Sequence, residues 1–226
     1  MADRRIVAVG GGDVFAIWNR VLDLVKPSPR VLWVGTASAE NLEYTLSVYD
    51  ELRDRADVRR VDFFPWPPEN LRELVLSQDV IVVGGGNTAN MLAIWRAHGF
   101  DALLREAWEQ GTVLTGSSAG MICWFEAGVT DSFGPQLEGM RDGLGFLPGS
   151  ACPHYDGEDL RRPVYRQLVA DGFPAGYASD DDAALLFVGT ELAEVWTIRE
   201  GATGYRVDPG RETPLEARLL TDAAAP

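Results

Sequence analysis

Ser118 stands in the stretch Gly116-Ser117-Ser118-Ala119-Gly120, with glycine two places before it and two places after it. Val113 and Leu114 end an apolar run ahead of this stretch, and Met121-Ile122-Cys123 read as the first turns of a buried helix. A serine framed this way between a strand and a helix is the sequence form of a nucleophile elbow. The sharp turn holds the serine in strained backbone, so its flanking positions must lack side chains. The hydroxyl then points away from the sheet, and the N–H groups that open the helix face any anion that develops beside it. Ser117 has Thr115 and Ala119 at the corresponding positions. The frame therefore selects Ser118.

A serine hydroxyl is a poor nucleophile until a base takes its proton, and near neutral pH that base is usually histidine. The chain has two histidines. His98 precedes Gly99 at the end of a helical stretch, where an imidazole suits the terminal carbonyls. His154 falls in an irregular stretch after the elbow, between Pro153 and Tyr155, and is the base by elimination. A carboxylate should hold its tautomer. Asp180, Asp181 and Asp182 follow a strand-like run and are candidates, although aspartates also favour plain turns. Asp131 is a further candidate, whereas Asp156 and Glu158 are expected to open the next helix.

Two more features suit acyl chemistry. Gly84-Gly85-Gly86 ends another apolar run but lacks the continuation of a nucleotide-binding loop. An oxyanion hole is the better reading, with donors from Ala119 and from Gly85 or Gly86; removing one such donor costs about 3 kcal/mol in transition-state stabilisation. Asn87 then either caps its helix or reaches the substrate. Arg161 and Arg162 open the helix after His154, where a guanidinium suits a substrate carboxylate and equally a surface salt bridge.

These residues need a scaffold. Arg5–Val9, Val31–Val34, Val58–Phe64, Asp79–Val83 and the run from Val113 are short and mostly solidly apolar, with helical stretches near 14–25, 42–55, 69–76, 88–97 and 102–109. Apolar strands alternating with helices imply an α/β fold, a mostly parallel sheet sandwiched by helices. Sites in such sheets lie at the strand carboxyl ends, where the glycine loops at Gly10, Gly84 and Gly116 all fall. Beyond the elbow the pattern loosens. Residues 133–151 read as loop-rich, and a helix is expected near Glu158–Val169. Strands are expected at Ala175–Ser179 and Ala183–Val188, a hairpin at Glu194–Ile198 and Gly204–Val207, and then an edge strand and a frayed end within Asp208–Pro226. No repeat or long linker divides the chain, so residues 1–226 are read as one hydrolytic domain.

Composition narrows the partners. A net charge of −14 argues against nucleic acid and anionic membranes, which attract basic faces. No apolar run reaches membrane-spanning length, and the first residues lack the pattern of a signal peptide. Cys123 and Cys152 make neither a disulfide framework nor a zinc site. A cytoplasmic setting is expected, with no metal or cofactor.

Taken together, Val82-Val83-Gly84-Gly85-Gly86-Asn87-Thr88, Gly116–Gly120, Pro153-His154-Tyr155 and Asp180–Leu185 resemble peptidase E, the aspartyl dipeptidase, and its relative cyanophycinase. The resemblance runs in order from about Val80 to Val188. It implies a fold like that of class I glutamine amidotransferases and a metal-free serine peptidase that cleaves dipeptides with N-terminal aspartate. It implies Ser118 as nucleophile, His154 as base, and Gly85 with Ala119 as the oxyanion hole. The acidic member, often glutamate in that family, falls on Asp181, with Asp182 one register away and Asp131 also matched. The substrate-binding arginine falls on Arg161 or Arg162. The acid here is aspartate, and the segment from His154 to the arginines is shorter than in the best-known members.

The leading expectation is a serine dipeptidase acting on small peptides through an acyl-enzyme, with a homodimer left open. A cyanophycinase-like or other amide hydrolase is the alternative within enzymes. A non-catalytic ligand-binding module of the same fold is the alternative outside them.

Overall fold

A computed structural model describes residues 3–220. The first half alternates as its apolar runs require: β1 Arg5–Val9, α1 Val14–Leu22, β2 Arg30–Val34, α2 Leu42–Leu52, β3 Asp57–Val61, α3 Leu71–Leu76, β4 Val80–Val83, α4 Thr88–Ala97, α5 Phe100–Glu109 and β5 Val113–Ser117. The second half is richer in strands: α6 Ala119–Ile122, β6 Phe125–Thr130, β7 Glu138–Met140, β8 Leu147–Cys152, α7 Arg161–Ala170, β9 Gly176–Ser179, β10 Ala183–Val188, β11 Glu191–Thr197, β12 Gly204–Asp208, β13 Arg211–Pro214 and β14 Ala217–Leu219.

An eight-stranded sheet in the order β14-β11-β10-β1-β5-β4-β2-β3 forms the centre. Its β1-β5-β4-β2-β3 portion is parallel, and β10 and β11 add antiparallel strands beyond β1. Side chains alternate across it. Ile6, Ala8, Leu32, Val34, Ile81, Val83 and Leu114 pack against α3, α4 and α5. Val7, Val9, Val31, Trp33, Val80, Val82 and Val113 pack against α1 and α2. Strand β4, Val-Ile-Val-Val, is buried throughout, each side chain contributing about 1.5–3 kcal/mol relative to exposure. That double burial is why the strands read as solid apolar runs. The outermost parallel strand, β3, carries exposed Arg59 and Arg60, which discourage pairing with another chain.

A second, six-stranded sheet runs β13-β12-β9-β8-β6-β7. It packs Ala127, Val129, Cys152, Ala178 and Val207 around Tyr165 and Val169 of α7. Residues expected to be loop-rich therefore contain β7 and most of β8. Their glycines and exposed polar side chains hide the strand pattern, because the sheet is covered unevenly. The C-terminal hairpin is present one strand later than expected: β12 pairs with β13, while β11 pairs with β10 and β14 in the other sheet. Val195 and Trp196 of β11 join the two cores of the central sheet, and Val207 of β12 joins the second. Burial on different sheets separates two neighbours that sequence alone would pair. The end of the expected frayed tail, 221–226, lies outside the described residues.

Candidate active site

Ser118 lies between β5 and α6 with φ 56° and ψ −110°, a region that costs a non-glycine residue about 1–3 kcal/mol. The two framing glycines permit it. A Cβ on Gly116 would come within 2.7 Å of Val83 O, and one on Gly120 within 2.4 Å of the same atom. The helix that follows is one turn long, Ala119–Ile122, shorter than the buried helix expected, because the chain enters β6 at Phe125. The Ser118 N–H donates to Val9 O at 3.2 Å. This anchors the turn to β1 and therefore beside the loop Gly10–Gly12.

That loop faces the histidine. His154, at φ 53°, is bound through Nδ1 to Asp181 Oδ1 at 2.8 Å. Both side chains are partly buried, 21% and 27% exposed. The carboxylate is seated between bare glycines. A Cβ on Gly11 would lie 2.3 Å from Asp181 Oδ1 and 2.4 Å from the imidazole, and one on Gly157 would lie 2.0 Å from Asp181 Oδ2. The N-terminal glycine loop thus leaves room for the His154–Asp181 pair. Tyr155 N–H donates to Ser179 O at 3.1 Å, holding the histidine loop against the end of β9. Among the described residues, neither Ser118 Oγ nor His154 Nε2 makes a hydrogen bond.

The remaining aspartates have other partners. Asp180 is 2% exposed, and its Oδ2 accepts from Thr203 N–H at 3.0 Å and Tyr205 Oη at 3.3 Å. Burial raises its pKa, outweighing those hydrogen bonds. Asp182, at φ 66°, turns away from the imidazole, accepting from Arg199 Nε and Asp13 N–H, each at 2.8 Å. Asp131 is exposed and lines the cavity at Ser118 without bonding His154.

That cavity, about 270 Å³, is bounded by Gly86, Asn87, Ser118, Asp131, Glu158 and Arg161. It is small beside the ~300–1,000 Å³ of ordinary ligand clefts. A larger depression of about 520 Å³ between α1 and α2 has Asn19, Arg20, Asp23 and Glu51 in its walls but holds none of the site residues. Arg161 is 3% exposed, and donates from Nη1 to Val129 O at 2.9 Å and from Nε to Glu158 Oε2 at 2.7 Å. Burial works to raise the Glu158 pKa, but the Arg161 guanidinium outweighs it and lowers it. Arg162 is elsewhere: it pairs with Glu212 and lies over Tyr155 and Tyr205, at 5.4 and 5.0 Å from the ring centroids. Neighbours in sequence diverge because successive helix positions point about 100° apart.

Asn87 does cap α4, accepting from Asn90 N–H at 2.8 Å, and its Nδ2 donates to Ser132 O at 2.9 Å. His98 is exposed at the end of α4, its ring 5.6 Å from that of Phe63. Asp156 and Glu158 do not begin the helix. It starts at Arg161 after a non-capping Leu160, and both carboxylates are committed instead to Asp181 N–H and Arg161. Glu158 in the cavity and the glycine seat of Asp181 went unrecognised in the sequence. The Gly10–Gly12 loop was its one visible signal.

Comparison with known proteins gives first the class. A protein of Listeria monocytogenes EGD-e provisionally named peptidase E shares the fold with a TM-score of 0.68 at 18% identity, over 88% of this chain and 100% of that one. A peptidase from an acI-B1 Actinobacterium does so with the same TM-score and identity, over 95% of each chain. The architecture is the α/β fold of class I glutamine amidotransferases. The profile of Peptidase family S51 matches residues 6–195, and the uncharacterized peptidase YgaJ of Bacillus subtilis (strain 168) is 44% identical over 230 residues, 96% of this chain and 99% of that protein. The chain belongs to peptidase family S51, and is a serine peptidase.

Proposed function

We propose that the protein is a dipeptidase in which Ser118, His154 and Asp181 form the catalytic triad. The observation that carries this reading is the 2.8 Å bond between His154 Nδ1 and Asp181 Oδ1, seated beside the strand whose Val9 carbonyl anchors Ser118. A carboxylate on Nδ1 fixes the tautomer whose Nε2 accepts a proton. Ser118 Oγ attacks the scissile carbonyl as its proton passes to His154 Nε2. The imidazolium then protonates the leaving amine, and water, deprotonated by the same histidine, releases the acyl group. Hydrogen bonds between such a serine and its base often form only when substrate is bound.

The oxyanion would be held by Ala119 N–H and a glycine N–H of the Gly85-Gly86 loop. Proximity supports this: a Cβ on Gly85 would lie 3.3 Å from Ser118 Cβ and 3.8 Å from Ser118 Oγ.

The cavity also favours a short peptide with a free amino terminus. It combines one nearly buried guanidinium, Arg161, with two carboxylates, Asp131 and Glu158. Arg161 suits an acidic side chain, and Asp131, the carboxylate not paired with it, suits the ammonium group. The overall charge of −14 repels an anionic substrate, so the local guanidinium is the feature that would admit aspartate. Turnover of Asp-X dipeptides, their N-acetyl derivatives and longer peptides tests the reading. Acetylation and lengthening should each abolish most activity, and Ser118→Ala should remove it. Cleavage persisting in Ser118→Ala would falsify the mechanism; preference for β-aspartyl bonds would favour the cyanophycinase-like alternative. A fluorophosphonate that fails to label Ser118 in the native protein would count against Ser118 as the nucleophile.

A further inference from the structure

Asp181 is gripped by residues outside the triad. Its N–H donates to Asp156 Oδ1 at 2.8 Å, and its carbonyl accepts from Arg199 Nη2 at 2.9 Å. The same Nη2 meets Asp156 Oδ2 at 2.6 Å, closing a ring around the Asp181 backbone. Arg199 Nε completes the arrangement on Asp182 Oδ2 at 2.8 Å, while Asp182 N–H donates to Gly11 O at 3.0 Å. One guanidinium thus ties the turn after β9 to the loop that carries His154, since Asp156 lies two residues beyond that histidine.

We propose that Arg199 and Asp156 act as a positioning clamp, holding Asp181 in the orientation that keeps its carboxylate on His154 Nδ1. The inference rests on the triad reading given above. Three features support a role in positioning rather than in general stability. Arg199 and Asp156 are 45% and 34% exposed at their side chains, and isolated ion pairs at such sites stabilise proteins little. The clamp grips the backbone of Asp181 on both faces, where a surface pair would need to touch only side chains. The neighbouring residue, Asp182, is held at φ 66°, a conformation that requires outside support. Charge alone does not meet the geometry. A planar guanidinium reaches three acceptors at fixed angles, which an ammonium cannot copy.

The decisive measurement compares native protein with Arg199→Met, Arg199→Lys and Asp156→Asn. Displacing a catalytic group by about 1 Å costs on the order of 100-fold in rate. Arg199→Met should therefore lower both kcat and the fluorophosphonate reaction rate by about that factor, with KM nearly unchanged. Arg199→Lys should recover only part of the loss. Combining Arg199→Met with Asp156→Asn should do no further harm, as expected of groups acting as one unit.

A second readout is independent of turnover. The proton bridging His154 and Asp181 should give a downfield NMR signal, assigned in a His98→Asn background that removes the only other imidazole. It should broaden away in Arg199→Met and in Asp156→Asn. If the signal is native-like in either variant, or Arg199→Met reacts at the native rate, the clamp is overturned. Should Arg199→Met fail to fold, Asp156→Asn, which keeps the volume and one acceptor oxygen, provides the same test. A native protein that neither labels nor cleaves peptides defeats the peptidase reading, while the NMR signal still decides the clamp.

Discussion

The two sheets build the site by different physical means. The central sheet presents Ser118 from β5, a strand buried on both faces, so the serine's place is set by packing that few substitutions leave intact. The second sheet presents His154 from the end of β8, between core residues Cys152 and Tyr155, and the imidazole itself is placed by hydrogen bonds and closely approaching glycines. Asp181 belongs to neither. It lies where the chain crosses from β9 in one sheet to β10 in the other, and that crossing joins the sheet that carries Ser118 to the sheet that carries His154. In the proposed triad a rigid layer supplies the nucleophile, and a polar seam aligns its partners.

That division can be broken experimentally. Ser118→Ala should reduce kcat by about 10⁵–10⁶-fold with the fold intact, as for nucleophiles acting within a triad; His154→Ala should match it to within about tenfold. Steady-state turnover measures both, and a His154→Ala protein that keeps most of its activity would deprive the second sheet of its role. Asp181→Asn should lower kcat by roughly 10⁴-fold through the wrong tautomer, whereas Asp182→Asn, whose carboxylate binds Arg199, should fall far short of that. Equal losses in the two variants would count against the geometric assignment.

Gly11→Ala sharpens the contrast, since its methyl would meet both Asp181 and His154 within 2.4 Å. About a 100-fold loss in kcat is expected, together with overpacking of about 1–3 kcal/mol in chemical denaturation. Arg161→Lys keeps the charge but loses the fork, and should lower kcat/KM for aspartyl substrates by about 10–100-fold through about 1–3 kcal/mol of lost charged hydrogen bonding; neutral substrates measured in parallel should change less.

The smallest effect concerns Asp180. Its pKa is raised in the folded state, so folding favours its protonated form. Its contribution to stability is complete below the ordinary value of 3.8 and declines as pH rises through the elevated folded value. Asp180→Asn should therefore unfold at a slightly higher temperature than the native protein near neutral pH. The difference should disappear in acid, and thermal melts across pH would detect it.

Different parts of the site were legible to different degrees. Gly116–Gly120 announces Ser118 because the constraint is local: one sharp turn demands small residues at fixed spacing. His154 could be singled out as the candidate base because the alternative, His98, sits at a helix end. The residues alone did not separate Asp181 from Asp182 or Asp131, and only the family resemblance favoured Asp181, since the choice depends on which carboxylate the crossing turns towards the imidazole. Nothing local separates Arg161 from Arg162, and only their directions from α7 do. Asp156 and Arg199 meet across 43 positions, a distance at which sequence gives no contact. The second sheet escaped for a related reason: β7 has three residues, two of them exposed, so burial imposes little pattern on it.

By itself the sequence determined the parallel core and the tight turn at Ser118, because apolar strands buried on both faces and a strained serine turn each leave a local signature. The tertiary structure decided which aspartate meets His154, which arginine enters the cavity and which strands pair near the end. Those outcomes depend on the directions of side chains brought together from distant parts of the chain, and local residue preferences do not encode direction.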